Sequence, residues 1–199
     1  LISIFAVLFS LCACAGYREI DSLFFVSAIG FDYKDGYKIS LETVSAGGNE
    51  IETEPFSKTY YAKGDTLKDA MQKIYKKLPK GISFDHTVCA VMGKGIKKRQ
   101  LKRVISFLLY NKEINISLSL FCSDISANTL LLNAKPVSLC VGYDILGLKN
   151  ENEKRNGASF NNTLFEISDK IKEEKSVSLP KLKLKEDTVV LEGKANDKA

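Results

Sequence analysis

The chain has 199 residues, 45% of them hydrophobic and 27% charged, which is enough apolar material for a well-filled core. Its 29 basic and 24 acidic residues leave a formal charge of +5, spread too thinly to mark a nucleic-acid binder, which gathers its cations on one face. A single histidine, His86, excludes histidine-rich metal sites and most catalytic triads, and none of the five cysteines (12, 14, 89, 122 and 140) forms the C-x-x-C pair of a zinc ribbon or a thioredoxin-like site.

Leu1 to Ala13 (LISIFAVLFSLCA) carries no charge and is too short for a bilayer-spanning helix, which takes about 20 residues. Residues 1–13 therefore suit the apolar region of a signal peptide that is incomplete at its start. Leu11-Cys12-Ala13-Cys14 resembles the bacterial lipobox, with an aliphatic residue, then a small residue immediately before the cysteine. Cys12 does not fit, because bulky Leu11 would then occupy the small-residue position. The expected chemistry is thioether transfer of a diacylglyceryl group to the Cys14 sulfur, followed by cleavage between Ala13 and Cys14; two acyl chains give stable anchoring where one is marginal. Residues 14–22 form the tether, in which Arg18, Glu19 and Asp21 serve either as plain linker or to orient the domain on a membrane or partner.

Leu23 to Phe31 (LFFVSAIGF) is nearly continuous in apolar, β-favouring residues, as expected of a central strand covered on both faces. A turn at Asp35-Gly36 leads into Tyr37, Ile39, Leu41 and Thr43 alternating with Lys38, Ser40 and Glu42, a hairpin partner with one wetter face. The polar segment 46–55 reads as a loop, and Ser57 to Lys63 as a third strand. Asp65 or Thr66 then offers an N-cap for a helix whose stripe is Leu67, Ala70, Met71, Ile74 and Leu78, stopped by Pro79 and Gly81. Val88 to Met92 is another buried strand. The next helix turns Leu101, Val104, Ile105, Leu108 and Leu109 inward and Lys97, Lys98, Arg99, Lys102 and Arg103 outward. Ile114 to Cys122 alternates like a strand, Ser126 to Asn133 and Tyr143 to Leu148 suggest short helices, and Thr163 to Glu173 a longer one. Ser176 to Lys185 reads as an extended connector, and Thr188 to Leu191 as a strand opening a second, truncated unit. The fold expected is α/β of the α+β type, a mixed sheet flanked by helices, with one domain over residues 23–175 and a connector over 176–199.

Cys89 and Cys122 lie in apolar strand-like runs and are expected to pack as small hydrophobes, while a Cys122–Cys140 disulfide is left open by an exported compartment. His86, beside Asp85, is expected to be structural or exposed, since one ligand makes no zinc site. Gly93-Lys94-Gly95-Ile96-Lys97-Lys98 lacks the spacing of a phosphate loop and reads as a strand-to-helix turn. The basic helix face is first of all a solvated surface. The alternative is contact with anionic lipid headgroups or an acidic partner.

Arg18-Glu19-Ile20-Asp21 at this distance from Cys14, followed by Leu23 to Phe31 and Asp32, resembles the Ger(x)C family, the lipoprotein C subunits of nutrient germinant receptors in endospore-forming bacteria. Lys63-Gly64-Asp65-Thr66-Leu67, Asp85-His86-Thr87-Val88, Phe107-Leu108-Leu109 and Leu191-Glu192-Gly193 extend the likeness along the mature chain. Ala15 stands where family members usually carry tryptophan, a residue type this chain lacks altogether. The resemblance implies an exported lipoprotein on the outer face of the cell or spore inner membrane, working beside an A subunit and an integral-membrane B subunit. It implies a non-enzymatic scaffold or signal-coupling role, with no cofactor beyond the lipid on Cys14 and no nucleic-acid partner. A solute-binding cell-envelope lipoprotein is the alternative, and an envelope hydrolase is disfavoured by the absence of G-x-S-x-G, H-E-x-x-H or a second histidine.

Overall fold

The computed structural model describes residues 23–45 and 56–194. Its strands are β1 (Leu23–Tyr33), β2 (Tyr37–Ser45), β3 (Phe56–Gly64), β4 (Gly81–Ser83), β5 (Cys89–Met92), β6 (Ser119–Ser123), β7 (Pro180–Lys185) and β8 (Thr188–Lys194). Its helices are α1 (Leu67–Tyr75) after β3, α2 (Lys98–Tyr110) after β5, then α3 (Ala127–Asn133), α4 (Val141–Asn156) and α5 (Leu164–Lys172) between β6 and β7. They build the mixed, helix-flanked sheet expected of an α+β chain, ordered β3-β2-β1-β5-β6-β7-β8, with β4 paired to the start of β1. Pairings from β1 through β5 and β6 to β7 are parallel, while β2, β3 and β8 join antiparallel.

β1 is central because its side chains can be buried on both faces: Val26 to Asp32 are all buried. Asp35 (φ 51°) and Gly36 (φ 131°) supply the left-handed conformations that turn it into β2. A bulge between Val26 and Ala28 shifts the alternation, so that Val26, Ile29 and Phe31 face one core while Ala28 faces the other.

The two faces are built differently. On the first, Ile29, Phe31, Ile39 and Leu41 pack under the apolar stripes of α1, α2 and α5, among them Met71, Ile74, Val104, Ile105, Leu108 and Ile167. Thr66 and Thr163 cap α1 and α5 from within their own segments, the latter in a reciprocal capping box with Glu166. On the second face the sheet offers small and acidic residues, which lets helices come close. A Cβ on Gly30 would stand 3.0 Å from the Ala127 Cβ, and one on Gly142 would stand 2.9 Å from the Ser27 carbonyl oxygen.

Two sheet carboxylates hold the helix ends there. Asp32 accepts hydrogen bonds from the Ala127 amide (2.8 Å), the Asn128 amide (3.1 Å) and the Ser126 hydroxyl (2.7 Å), and so caps α3 from a strand nearly a hundred residues away. Glu42 does the same for α4, whose own N-cap, Cys140, makes no side-chain cap. One Glu42 oxygen takes the Val141 amide (2.8 Å) and the Ser57 hydroxyl (2.8 Å); the other takes the Gly142 amide (2.8 Å) and the Ser27 hydroxyl (2.7 Å). Four donors and the positive end of a helix stabilise a carboxylate that is only 1% exposed.

Three expectations are corrected. Ser176 to Lys185 and Thr188 to Leu191 do not stand apart as a connector and a new strand: they supply β7 and β8 of the same sheet, because Leu182 and Val189 are buried against the second face. The strand expected from Ile114 starts only at Ser119, since the Asn111 and Asn115 side chains accept from the amides of Glu113 and Ser117 and close local turns instead. Leu109, expected inward, is 42% exposed at the end of α2. The helix expected from Tyr143 to Leu148 is longer, and short β4 carried too little pattern to be read.

Candidate functional site

Cys14, Arg18, Glu19 and Asp21 lie outside the described residues. Of the expected contact residues, the structure brings together the basic face of α2. β5 ends at Met92, and the chain then turns tightly: the Gly93 amide donates to the Phe31 carbonyl at 2.8 Å, and Gly95 adopts φ 85° against the Tyr33 carbonyl, where a side chain would collide. This is the strand-to-helix turn expected, and it delivers α2 at the end of the sheet where β1 finishes. Lys97, Lys98, Arg99, Lys102 and Arg103 are all exposed there, and among the described residues none of them makes an ion pair.

Their placement runs against the helix's own electrostatics. The first turn of α2 holds no acidic residue and its N-cap Lys97 makes no side-chain cap, so cations crowd the positive end of the dipole. Such an arrangement costs a few tenths to about 1 kcal/mol per charge at low salt. An anionic surface laid against α2 would relieve it.

At the opposite end of the sheet, a cleft of about 290 Å³ opens between Asp85, His86, Asn115, Ser117 and Tyr143. The exposed His86 ring stands edge-on to Phe25 at 5.0 Å, and Asp85 accepts from the Ser83 hydroxyl at 3.1 Å rather than from the imidazole. Thr87 is committed to the Val26 carbonyl. Among the described residues no cysteine, serine or lysine is recorded in a hydrogen bond with His86, and no three histidine, cysteine or acidic side chains gather as a metal site.

The same end carries the exposed apolar side chains Tyr75, Leu109, Tyr110, Ile116 and Phe165. The Phe165 amide donates to the Ile116 carbonyl at 3.0 Å, joining the start of α5 to the turn before β6. Burial, and then the nearby Glu113 carboxylate, push the Tyr75 hydroxyl upward, which ties the end of α1 to that same turn.

Cys89, Cys122 and Cys140 form no disulfide with one another, and the Cys122 thiol donates to the Leu179 carbonyl at 3.5 Å. Cys122 packs against the core under α2, whereas Cys140 sits beside Glu42 and Ser27 on the other face, so the sheet separates the two and no bridge joins them. Burial first, and then the Glu42 carboxylate, push the Cys140 thiol up and the Cys89 thiol well up, which leaves both as neutral packing groups. Asp32 and Glu42 were not legible as site residues. Only the three-dimensional pairing shows that they hold helix ends.

Among the described residues no helix is long and apolar enough to cross a membrane. Comparison with curated proteins and with solved structures finds no match. A family model described as the spore germination protein N-terminal domain matches residues 16–184, most of the chain, and takes in β1 to β7 together with all five helices. The chain therefore belongs to the spore germination protein N-terminal domain family.

Proposed function

We propose that this domain is the membrane-anchored part of a C subunit of a nutrient germinant receptor, acting as a non-enzymatic scaffold or signal coupler between the bilayer and the receptor's A and B subunits. The observation that carries the reading is the lipobox Leu11-Cys12-Ala13-Cys14 placed directly before a spore germination domain that begins at residue 16. The diacylglyceryl group on Cys14 fixes the protein to the outer face of the membrane. The exposed cations of α2, unpaired within the described domain and set against their own helix dipole, suit an acidic surface on a partner subunit.

Crosslinking in spore membranes followed by pull-down tests this. Recovery of receptor A or B subunits is expected, with recovery weakened when Lys98, Arg99 and Lys102 are replaced together by glutamate. Recovery of neither subunit would overturn the assignment. A second reading, a solute-binding lipoprotein, is favoured only by the polar cleft around His86 and Tyr143. Calorimetry with amino acids and sugars separates the two, because saturable binding that is lost on Tyr143→Ala would support the solute binder.

A further inference from the structure

The geometry points to the end of the sheet at which β1 begins as the face that lies on the lipid bilayer, with Tyr110, Ile116 and Phe165 entering the interfacial layer. The inference rests on the lipid anchor at Cys14 and adds to it a defined orientation.

β1, β4, β5 and β6 run parallel; β4 begins level with Leu23 and β5 and β6 begin level with Ala28, and the segments leading into β5 and β6 line one cleft through Asp85, His86, Asn115 and Ser117, with His86 against Phe25 near the Leu23 end. From Cys14 to Leu23 the chain can reach at most about 32 Å when fully extended. β1 itself is 11 residues long, or about 33 Å. A tether anchored at Cys14 therefore falls short of laying the opposite end of the sheet flat on the bilayer, and the Leu23 end is held within reach of the headgroups.

Large apolar side chains are left in water at that end, as Val137 and Leu139 are between α3 and α4. Tyr110 is 90% exposed, Phe165 59%, Ile116 55%, Tyr75 48% and Leu109 42%. They come from the last turns of α1 and α2, the turn before β6 and the first turn of α5, segments joined by the Phe165–Ile116 and Leu164–Leu118 backbone hydrogen bonds. Tyrosine and phenylalanine with an isoleucine at the tip match the chemistry of the bilayer interface, where amphipathic rings settle at headgroup depth. Lys76 and Lys112 are exposed in the same segments, together with Glu113 and, in the adjoining cleft, Asp85. Lys97, Lys98 and Arg99 lie at the other end of the sheet and point away from the bilayer, which leaves them free for a protein.

The chain contains no tryptophan, so single tryptophans report cleanly. The lipidated chain is reconstituted into vesicles of phosphatidylglycerol and phosphatidylethanolamine with brominated acyl chains, carrying either Tyr110→Trp or Lys98→Trp. Tyr110→Trp should lose at least half of its fluorescence to the brominated lipid and Lys98→Trp almost none, and adding Phe165→Asp and Ile116→Asp should restore most of the Tyr110→Trp signal. Equal quenching at both positions, or none at Tyr110→Trp, would overturn the orientation while leaving the anchor intact. Shielding of Tyr110→Trp from iodide without quenching by brominated lipid would show a protein occupant and would likewise overturn it. If the chain takes no acyl label on Cys14, the anchor and the orientation fall together.

Discussion

The two faces of the central sheet hold their helices by different physics. The face under α1, α2 and α5 is a broad aliphatic and aromatic core whose helices carry their own apolar stripes, and α1 and α5 carry their own caps too. The face under α3 and α4 is lined by Ala28, Gly30, Asp32, Ser40 and Glu42, and its helices are seated by two sheet carboxylates that reach their unsatisfied amides. Hydrophobic burial tolerates small errors of position, because it scales with area and has no direction. A buried carboxylate with four donors does not, because each donor left alone in the interior costs the full desolvation of its group. The second face is therefore the more brittle one, and it is also the one that carries the thiols of Cys89 and Cys140.

Removing the Glu42 carboxylate should give the largest effect. Glu42→Ala strands the Val141 and Gly142 amides and two hydroxyls, for an expected loss of about 4 kcal/mol. Glu42→Gln, which keeps one acceptor oxygen, should lose about half as much in urea unfolding. If Glu42→Ala unfolds at the wild-type midpoint, the contrast between the faces disappears. Next comes Gly93→Ala: its Cβ would run into the Ala127 amide and the Asp32 carboxylate, and a loss of about 2–3 kcal/mol is expected by the same assay.

Alkaline pH should act on the second face first, before Tyr75 at the end of α1 adds its own loss above pH 10.0. The folded thiols of Cys89 and Cys140 are raised above 9.0. Below the unfolded value both states hold their protons and nothing is lost, whereas above it the unfolded chain ionises first and stability falls as pH rises. Denaturant midpoints between pH 8 and pH 10.5 should therefore decline in the wild type and decline less in the Cys89→Ala, Cys140→Ala double variant. The smallest effects belong to the first face. Thr66→Ala should cost about 1 kcal/mol by loss of a local cap. Burial pushes the Glu166 carboxyl up, but the Thr163 hydroxyl and amide outweigh it and leave the group below its ordinary value. Its small contribution is present above pH 4.5 and is lost on acidification, a loss that Glu166→Gln should abolish.

Legibility in the sequence followed the same division. The first face could be read because its signals are local and periodic: the stripe of α1, the Thr66 cap and the alternation of β2 each lie within a dozen residues. The central position of β1 was legible from its unbroken apolar run. What was not legible is long-range or competes with local patterning. Asp32 and Glu42 look like ordinary polar residues on a wet strand face until α3 and α4 are placed above them. Ile114 and Ile116 keep a strand's alternation inside two asparagine-closed turns, and Lys181 and Lys183 made β7 resemble a linker although Pro180 and Leu182 are buried. Of the candidate site, the cations of α2 were found from their spacing. The apolar end around Tyr110 and Phe165 was not, because its members come from four separate segments.

Both faces hold one folded domain, and the functional reading depends on Cys14 carrying lipid. Metabolic labelling of the full-length protein with palmitate in sporulating cells is the direct measurement. Label is expected on the wild type and should be absent from Cys14→Ser. An unlabelled wild type, or undiminished label on Cys14→Ser, would contradict the anchored receptor subunit.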